Sequence, residues 1–230
     1  ALNIVPRNAF NNIEYTREDV FMILQDKASH AGNANAGIAT FFASLSGMGR
    51  GDMDIQETHF DRYEPGDLRD SVTINPQIVL VEDVPDMFYE GVGTKAGFIR
   101  TSKWGKYDAN VQVIRLAEMI LTRAEANFRN GSAIGAEPID DLNAIRRRAQ
   151  ASEWDPLLLT IDMIAEERFR ELCFEGHALH DMRRFRGSVT PYRGPYAEEE
   201  LQWNDPRLVL PIPQREIDAN ENLVQNEAYD

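Results

Sequence analysis

The sequence predicts a mainly α fold with a loop-rich region that carries short strands. Apolar residues recur at helical spacing over residues 113–128, again after Pro138, and again after Thr160. The first half instead holds several Gly-, Asn-, Ser- and Pro-rich stretches, which are typical of loops. We therefore divide the chain into a loop-rich part over residues 1–108 and a helical part over residues 109–230, which together are expected to form one continuous domain.

Two short apolar runs in the first half are strand candidates. Residues 20–24 have the length of a strand, although a helical turn capped by Thr16 fits nearly as well. Residues 77–81 form the second candidate. Residues 83–97 are predicted to be a loop, because a proline and three glycines interrupt them.

The second half predicts consecutive helices. Asn110 can cap the first helix and Gly131 can end it, while Pro138 suits the first turn of the next. Because the connection is short, these two helices should pack as an antiparallel hairpin. A third helix starts at Thr160, a fourth segment spans residues 177–186, and residues 214–219 form a last helical turn or two after a proline-containing extended segment.

Composition excludes several classes of function. The 230 residues carry a net charge of −14, which argues against nonspecific nucleic-acid binding because that needs a basic surface. Cys173 is the single cysteine, so an internal disulfide and a multi-cysteine metal site are both excluded. No apolar run approaches the roughly 20 residues of a transmembrane helix.

The two halves differ in their cations. Residues 1–108 contain 4 Lys and 6 Arg, whereas residues 109–230 contain 14 Arg and no Lys. Guanidinium groups are less strongly hydrated than ammonium groups and bind carboxylates through two parallel hydrogen bonds. The helical half is therefore predicted to hold partly buried, forked ion pairs.

A series of short motifs follows in a fixed order through the second half. They are Arg115-Leu116-Ala117-Glu118, Ala124-Glu125-Ala126, Leu142-Asn143-Ala144-Ile145-Arg146-Arg147-Arg148-Ala149, Glu167-Arg168, Glu171-Leu172, Phe174-Glu175-Gly176, Arg183-Arg184 and Leu210-Pro211-Ile212-Pro213. In this order and spacing they resemble the C-terminal part of the SusD/RagB family. The resemblance is strongest over residues 103–230.

The resemblance implies a fold and a function. Family members pair helices in tetratricopeptide-like units and carry loops over that scaffold. They are lipoproteins on the outer face of the outer membrane in Bacteroidetes, where they bind glycans for nutrient uptake with a SusC-like TonB-dependent transporter. Members are about twice as long as this chain, so it is expected to be the C-terminal half, without the N-terminal half and its lipid anchor. The resemblance implies neither an enzyme nor a cofactor.

Loop aromatics are the candidate sugar contacts. Sugars need flat apolar rings against their C–H faces, and a ring with a polar tip adds a hydrogen bond. The site is expected in the segment over residues 30–63 and in the approach to the first long helix, and the candidates are Phe41, Phe42, Tyr63 and Trp104. A tetratricopeptide-type scaffold that binds only protein is the alternative function, and it would not need these rings.

The acidic residues of the third helix are predicted to be structural. Arg168 lies in the apolar stripe of that helix, where a charge must be paired, and its favoured partners are Glu171, Glu175 or Glu118. A carboxylate pair for glycoside hydrolysis is the weaker interpretation. No catalytic residue and no metal site are predicted.

Overall fold

The computed structural model describes residues 1–31, 37–75, 77–191 and 197–229. It divides into two compact units, Ala1–Glu175 and Gly176–Asp230. The helical part predicted to begin at residue 109 stays a prediction, since it spans the end of the first unit and all of the second.

Three long helices form the scaffold of the first unit. They are α2 (Leu116–Asn130), α3 (Pro138–Arg148) and α4 (Ile161–Leu172), which follow the short α1 (Ile38–Phe42). Gly131 ends α2 in the left-handed conformation at φ 61°, and the Thr160 side chain caps α4 by accepting from the amide of Met163. The facing stripes of these helices form an apolar core of Ala117, Leu121, Ala124, Leu142, Ile145, Ile164 and Leu172. The predicted mainly α fold is confirmed.

Short strands support the loops of the first unit. Strand β1 (Asp19–Ile23) pairs antiparallel with β5 (Val111–Arg115), and the pairing contains irregularities in register. Between them in the chain, β2 (Val72–Thr73) lies parallel to β3 (Phe88–Glu90), which lies antiparallel to β4 (Ile99–Thr101). The strand predicted at residues 20–24 is confirmed.

Three predictions of local structure were wrong. The helix predicted from Asn110 begins at Leu116, because the β-branched residues before it pair with β1 instead. Residues 77–81 form no strand, and a 3-10 turn starts at Val81. The loop predicted over residues 83–97 contains β3, whose partners come from distant parts of the chain.

The second unit is smaller. It contains α5 (Ala178–Arg184), the antiparallel pair β6 (Ser188–Val189) and β7 (Leu201–Gln202), and α6 (Gln214–Ala219). The short helix predicted over residues 214–219 is therefore confirmed. Within the described ranges, no helix has both the length and the apolar character needed to cross a membrane.

A buried cluster of charges joins α3 and α4 to the strands and loops of the first unit, and we call it the ion cluster. Its members share a side-chain exposure of 7% or less. The five cations are Arg69, Lys103, Arg115, Arg146 and Arg148, and the five anions are Glu18, Asp67, Glu167, Glu171 and Glu175. The charges within the cluster therefore balance.

Arg115 occupies a central place in the ion cluster. Its Nε donates to Glu175 at 2.6 Å and its Nη1 donates to Glu171 at 2.7 Å. Glu18 accepts from the same Nη1 at 3.3 Å. Arg115 thus joins β5 to the N-terminal segment and to the end of α4.

Lys103 is completely buried and uses all three of its N–H donors. Its Nζ donates to the backbone carbonyls of Glu171 and Cys173, both at 2.9 Å, and to the carboxylate of Glu175 at 2.6 Å. This ammonium therefore compensates the carbonyls that the end of α4 leaves without helical partners.

Two carboxylates of the cluster, Glu171 and Glu175, are held ionised. Burial by itself would raise the pKa of Glu171, but the guanidinium groups of Arg148, Arg115 and Arg69 hold it well below its usual range. Burial likewise opposes ionisation of Glu175, yet Arg115 and Lys103 lower its pKa. The prediction of buried ion pairs in the helical half is confirmed for Arg115, Arg146 and Arg148.

His59 lies in a cage of aromatic rings. Its ring centroid is 5.1–5.8 Å from those of Phe60, Tyr63, Phe88, Phe169 and Phe174. Burial, with further repulsion from Lys103 and Arg62, lowers the pKa of His59 to about 4. The folded protein therefore holds this imidazole neutral at physiological pH.

Removing Arg115 should destabilise the fold strongly. Arg115→Ala leaves Glu171 and Glu175 short of a buried partner, so we expect the free energy of unfolding to fall by about 3–5 kcal/mol. Urea unfolding followed by circular dichroism measures this. Arg147→Ala is the matched control, because its pair with Glu153 is half exposed and should contribute no more than about 1 kcal/mol. Equal losses in the two variants would contradict a central role for Arg115.

Protonation of His59 should make the free energy of unfolding depend on pH between about pH 4 and pH 6.5. The unfolded chain binds a proton at His59 near pH 6.5 and the folded chain only near pH 4, so stability is complete above pH 6.5 and falls as the pH drops towards 4. The full loss is about 3 kcal/mol. Urea unfolding between about pH 7 and pH 5 should show a shallower slope for His59→Phe than for the unaltered chain.

The exposed His180 provides the control for that experiment. His180→Gln should keep the slope of the unaltered chain. If His59→Phe also kept it, another group would be responsible for the acid sensitivity.

Candidate functional site

Two of the four rings predicted to contact sugar are buried. Tyr63 is 9% exposed and its hydroxyl donates to the carbonyl of Arg170 at 3.2 Å. Burial raises the pKa of that hydroxyl far above its usual value, so Tyr63 remains neutral. Trp104 is 6% exposed, and its Nε1 donates to the carbonyl of Phe174 at 2.7 Å. The polar tips of both rings are thus used within the fold.

The two phenylalanines of α1 are half-buried and have different neighbours. Phe42 packs edge-to-face against Phe174, with 6.1 Å between ring centroids, and belongs to the apolar group around Phe10 and Trp104. Phe41 has the guanidinium of Arg50 above its ring at 5.1 Å. As a glycan contact each ring stays a prediction.

The wider segment predicted for the site, residues 30–63, includes residues 32–36, which lie outside the described residues.

Trp104 contributes to the wall of an open cleft, which we call the Trp104 cleft. Its volume is about 170 Å³, and its walls include Asn11, Ile38, Trp104, Lys106, Tyr107 and Asn110. The combination of rings, an aliphatic side chain and a few polar groups is typical of sites that bind small organic ligands.

Tyr107 is the most accessible ring of this cleft. It is 37% exposed, and the imidazole of His30 stacks on it at a tilt of 54°, with 4.9 Å between ring centroids. Its hydroxyl makes no hydrogen bond to another described residue. Tyr107 can therefore offer an apolar face together with a hydroxyl that no described residue binds, the combination that suits a sugar ring.

Hydrogen bonds fix the backbone behind the cleft. The amide of Gln25 is satisfied when its nitrogen donates to the carbonyls of Tyr107 and Ala109, both at 3.0 Å. The backbone N–H of Gln25 donates to the side chain of Asn110 at 3.0 Å. These contacts tie the end of β1 to the segment that carries Tyr107, so the cleft is preformed.

Asn11 fixes the opposite wall. Its backbone adopts the left-handed conformation at φ 62°, which asparagine tolerates better than most residues. Its side chain accepts from the backbone N–H of Gly105 at 2.8 Å and donates to the carbonyl of Ser102 at 2.7 Å. Gly105 is buried so closely against Val81 that a Cβ atom would collide with it. The position of Trp104 is thus fixed from both sides.

The residues predicted to form ion pairs lie on α2, on α4 and, for Glu175, just after the end of α4. Glu171 and Glu175 belong to the ion cluster, with Arg115, Arg148 and Lys103 around them. Arg168 is 4% exposed, and its Nη1 donates to the hydroxyl of Thr122 on α2 at 3.2 Å. Glu118 is half-buried on α2, one helical turn before Thr122. Pairing of Arg168 with a carboxylate stays a prediction.

Sequence reasoning missed the most accessible part of the cleft. Tyr107 and Asn110 were not singled out as sugar contacts, although both stand in the approach to the first long helix, which was expected to contribute to the site. The available signal was the Trp104-Gly105-Lys106-Tyr107 sequence, with two rings around a glycine.

Among the described residues, no group of three or more His, Cys, Asp or Glu side chains is arranged to hold a metal ion.

Known proteins share this sequence pattern. The chain is 28% identical over 227 residues to the starch-binding protein SusD of Bacteroides thetaiotaomicron, in a match that covers 84% of this chain and 40% of that protein. The chain thus spans less than half the length of this relative.

Solved structures share the fold. The surface glycan-binding protein A from Bacteroides thetaiotaomicron matches with a TM-score of 0.73 and 25% identity, over 99% of this chain and 55% of that one. The same protein in complex with laminarihexaose matches with a TM-score of 0.73 and 25% identity, over 98% of this chain and 56% of that one.

The family model agrees with both comparisons. The model that describes the SusD family matches residues 56–229, which is most of the chain. The resemblance noted in the sequence is therefore confirmed, and with it the tetratricopeptide-like character of the helix pairs. The chain belongs to the SusD family.

Proposed function

We propose that this chain binds a glycan at the Trp104 cleft and does not cleave it. The observation that carries the proposal is the partly exposed Tyr107, whose hydroxyl has no partner among the described residues, beside a buried tryptophan in a preformed cleft. The similarity to a surface glycan-binding protein solved with laminarihexaose supports the same ligand class.

Glu171 and Glu175 do not suit glycoside hydrolysis. A hydrolase needs two carboxyl groups at the sugar, one of them a general acid with a raised pKa. Glu171 and Glu175 have lowered pKa values and lie in the ion cluster, where they contact guanidinium groups. Among the described residues that line the Trp104 cleft there is no Asp or Glu.

The proposal extends to location and partner. Family membership supports a lipid-anchored protein on the outer face of the outer membrane, acting in nutrient uptake with a SusC-like TonB-dependent transporter. The exposure of β1 supports a protein partner, because its Val20, Phe21 and Ile23 are more than half exposed. This exposed apolar strand also favours the alternative, a tetratricopeptide-type scaffold that binds protein and has no affinity for sugar.

Replacing Tyr107 should weaken glycan binding. Isothermal titration with laminarihexaose and maltohexaose measures affinity, and Tyr107→Ala should lower it about tenfold, since loss of a stacked ring costs on the order of 1.4 kcal/mol. Tyr15→Ala is the matched control, because Tyr15 is 76% exposed and is not part of the cleft. Reducing-end assays should detect no cleavage.

Fluorescence provides a second measurement at the same cleft. Ligand binding beside Trp104 should change the tryptophan emission, and Trp104→Phe should remove that change while Trp154 and Trp203 remain. Failure of both hexasaccharides, and of a wider glycan panel, to bind the unaltered chain would favour the protein-binding scaffold. Release of reducing ends would make the protein an enzyme.

A further inference from the structure

We propose that the Trp104 cleft continues into a second cleft beyond Asn11, and that the two form one groove for a neutral oligosaccharide rich in hydroxyl groups. The inference rests on the proposed function and names the extent of the site and the class of glycan. We call the second depression the Arg7 cleft. Its volume is about 260 Å³, and its walls include Arg7, Asn8, Asn11, Asn12 and Glu82.

Two features connect the clefts. Asn11 forms part of the wall of both. Lys106 of the Trp104 cleft also pairs with Glu82 of the Arg7 cleft, with 2.7 Å between Nζ and Oε1. A ligand that follows this wall therefore passes from one cleft to the other over a single ion pair.

Size supports an occupant longer than one sugar. Binding sites for small organic molecules have volumes of roughly 300–1,000 Å³. The clefts measure about 170 and 260 Å³, so each is smaller than that range while the two together fall within it. An oligosaccharide that places successive units in both clefts fits this arrangement.

The walls of the Arg7 cleft carry polar groups that the fold leaves unused. Arg7 is 8% exposed and its Nε has no partner among the described residues, although Nη1 and Nη2 donate to the carbonyls of Phe10 and Val81. The side chain of Asn8 makes no hydrogen bond to another described residue. Asn8 is exposed, so its amide can bind a ligand hydroxyl without breaking a hydrogen bond of the fold.

These groups suit hydroxyl groups better than anions. Asn12 uses its amide N–H groups on the carbonyls of Asn8 and Phe10, which leaves its side-chain oxygen as an acceptor. Glu82 is a second acceptor, because Lys106 binds only one of its two carboxylate oxygens. Carboxylate and sulfate groups donate no hydrogen bond to such acceptors, whereas a sugar hydroxyl both donates and accepts. The net charge of −14 opposes polyanions further.

The test uses titration calorimetry on the full chain with laminarihexaose, maltohexaose and hexagalacturonate. Asn8→Ala removes an exposed amide of the Arg7 cleft and should weaken binding of the neutral hexasaccharide about three- to tenfold, the effect of one hydrogen bond. Asn130→Ala is the matched control on the exposed end of α2 and should leave the affinity unchanged. Hexagalacturonate should bind at least tenfold more weakly than the neutral oligomer.

Each result separates this inference from the proposed function. If Tyr107→Ala weakens binding and Asn8→Ala does not, glycan binding stands and the extended groove is wrong. Equal affinity for hexagalacturonate would overturn the neutral class. If the unaltered chain binds no oligosaccharide at all, the proposed function fails, and this inference fails with it.

Discussion

The ion cluster is the constraint on which the structure of the first unit depends. Five cations and five anions lie almost wholly out of contact with water. Removing a charge from water costs more than one ion pair returns, so each member needs several partners at good geometry. Arg115, Glu171 and Glu175 have them, because each makes several charge-assisted hydrogen bonds. A change at one member therefore affects all segments that the cluster joins.

The same cluster positions the candidate site. Lys103 is bound by three oxygens at the end of α4, and Trp104 follows it directly and donates to the carbonyl of Phe174. Phe174 itself adopts the left-handed conformation at φ 63°, which is unusual for a bulky residue. Hydrogen bonds hold Phe174 in this conformation. Trp104 donates to its carbonyl, and Lys103 donates to the carbonyl of Cys173 before it and to the carboxylate of Glu175 after it. The wall of the Trp104 cleft is thus fixed to the charged core through consecutive residues.

The helical scaffold could be predicted from sequence because its determinants are local. The apolar stripe of α2, the cap at Thr160 and the left-handed Gly131 can each be recognised within a few residues. The abundance of arginine also indicated buried pairing before any partner was known. The start of α2 could not be predicted, because residues 111–115 fit a helix as well as a strand until β1 pairs with them. Burial of Tyr63 and Trp104 was equally hidden, since their partners Arg170 and Phe174 lie 107 and 70 residues away.

The long reach of the ion cluster has a consequence for folding kinetics. Arg148 and Glu18 are 130 residues apart in the chain, and Arg69 and Glu167 are 98 apart. Such contacts close large loops, and the entropy lost in closing them is regained only when the charges meet their partners. The helical hairpin of α2 and α3 can form early from local contacts, while the charges stay hydrated until the N-terminal segment docks. The ion pairs of the first unit should therefore form in a late, cooperative step in which water leaves all ten charges together.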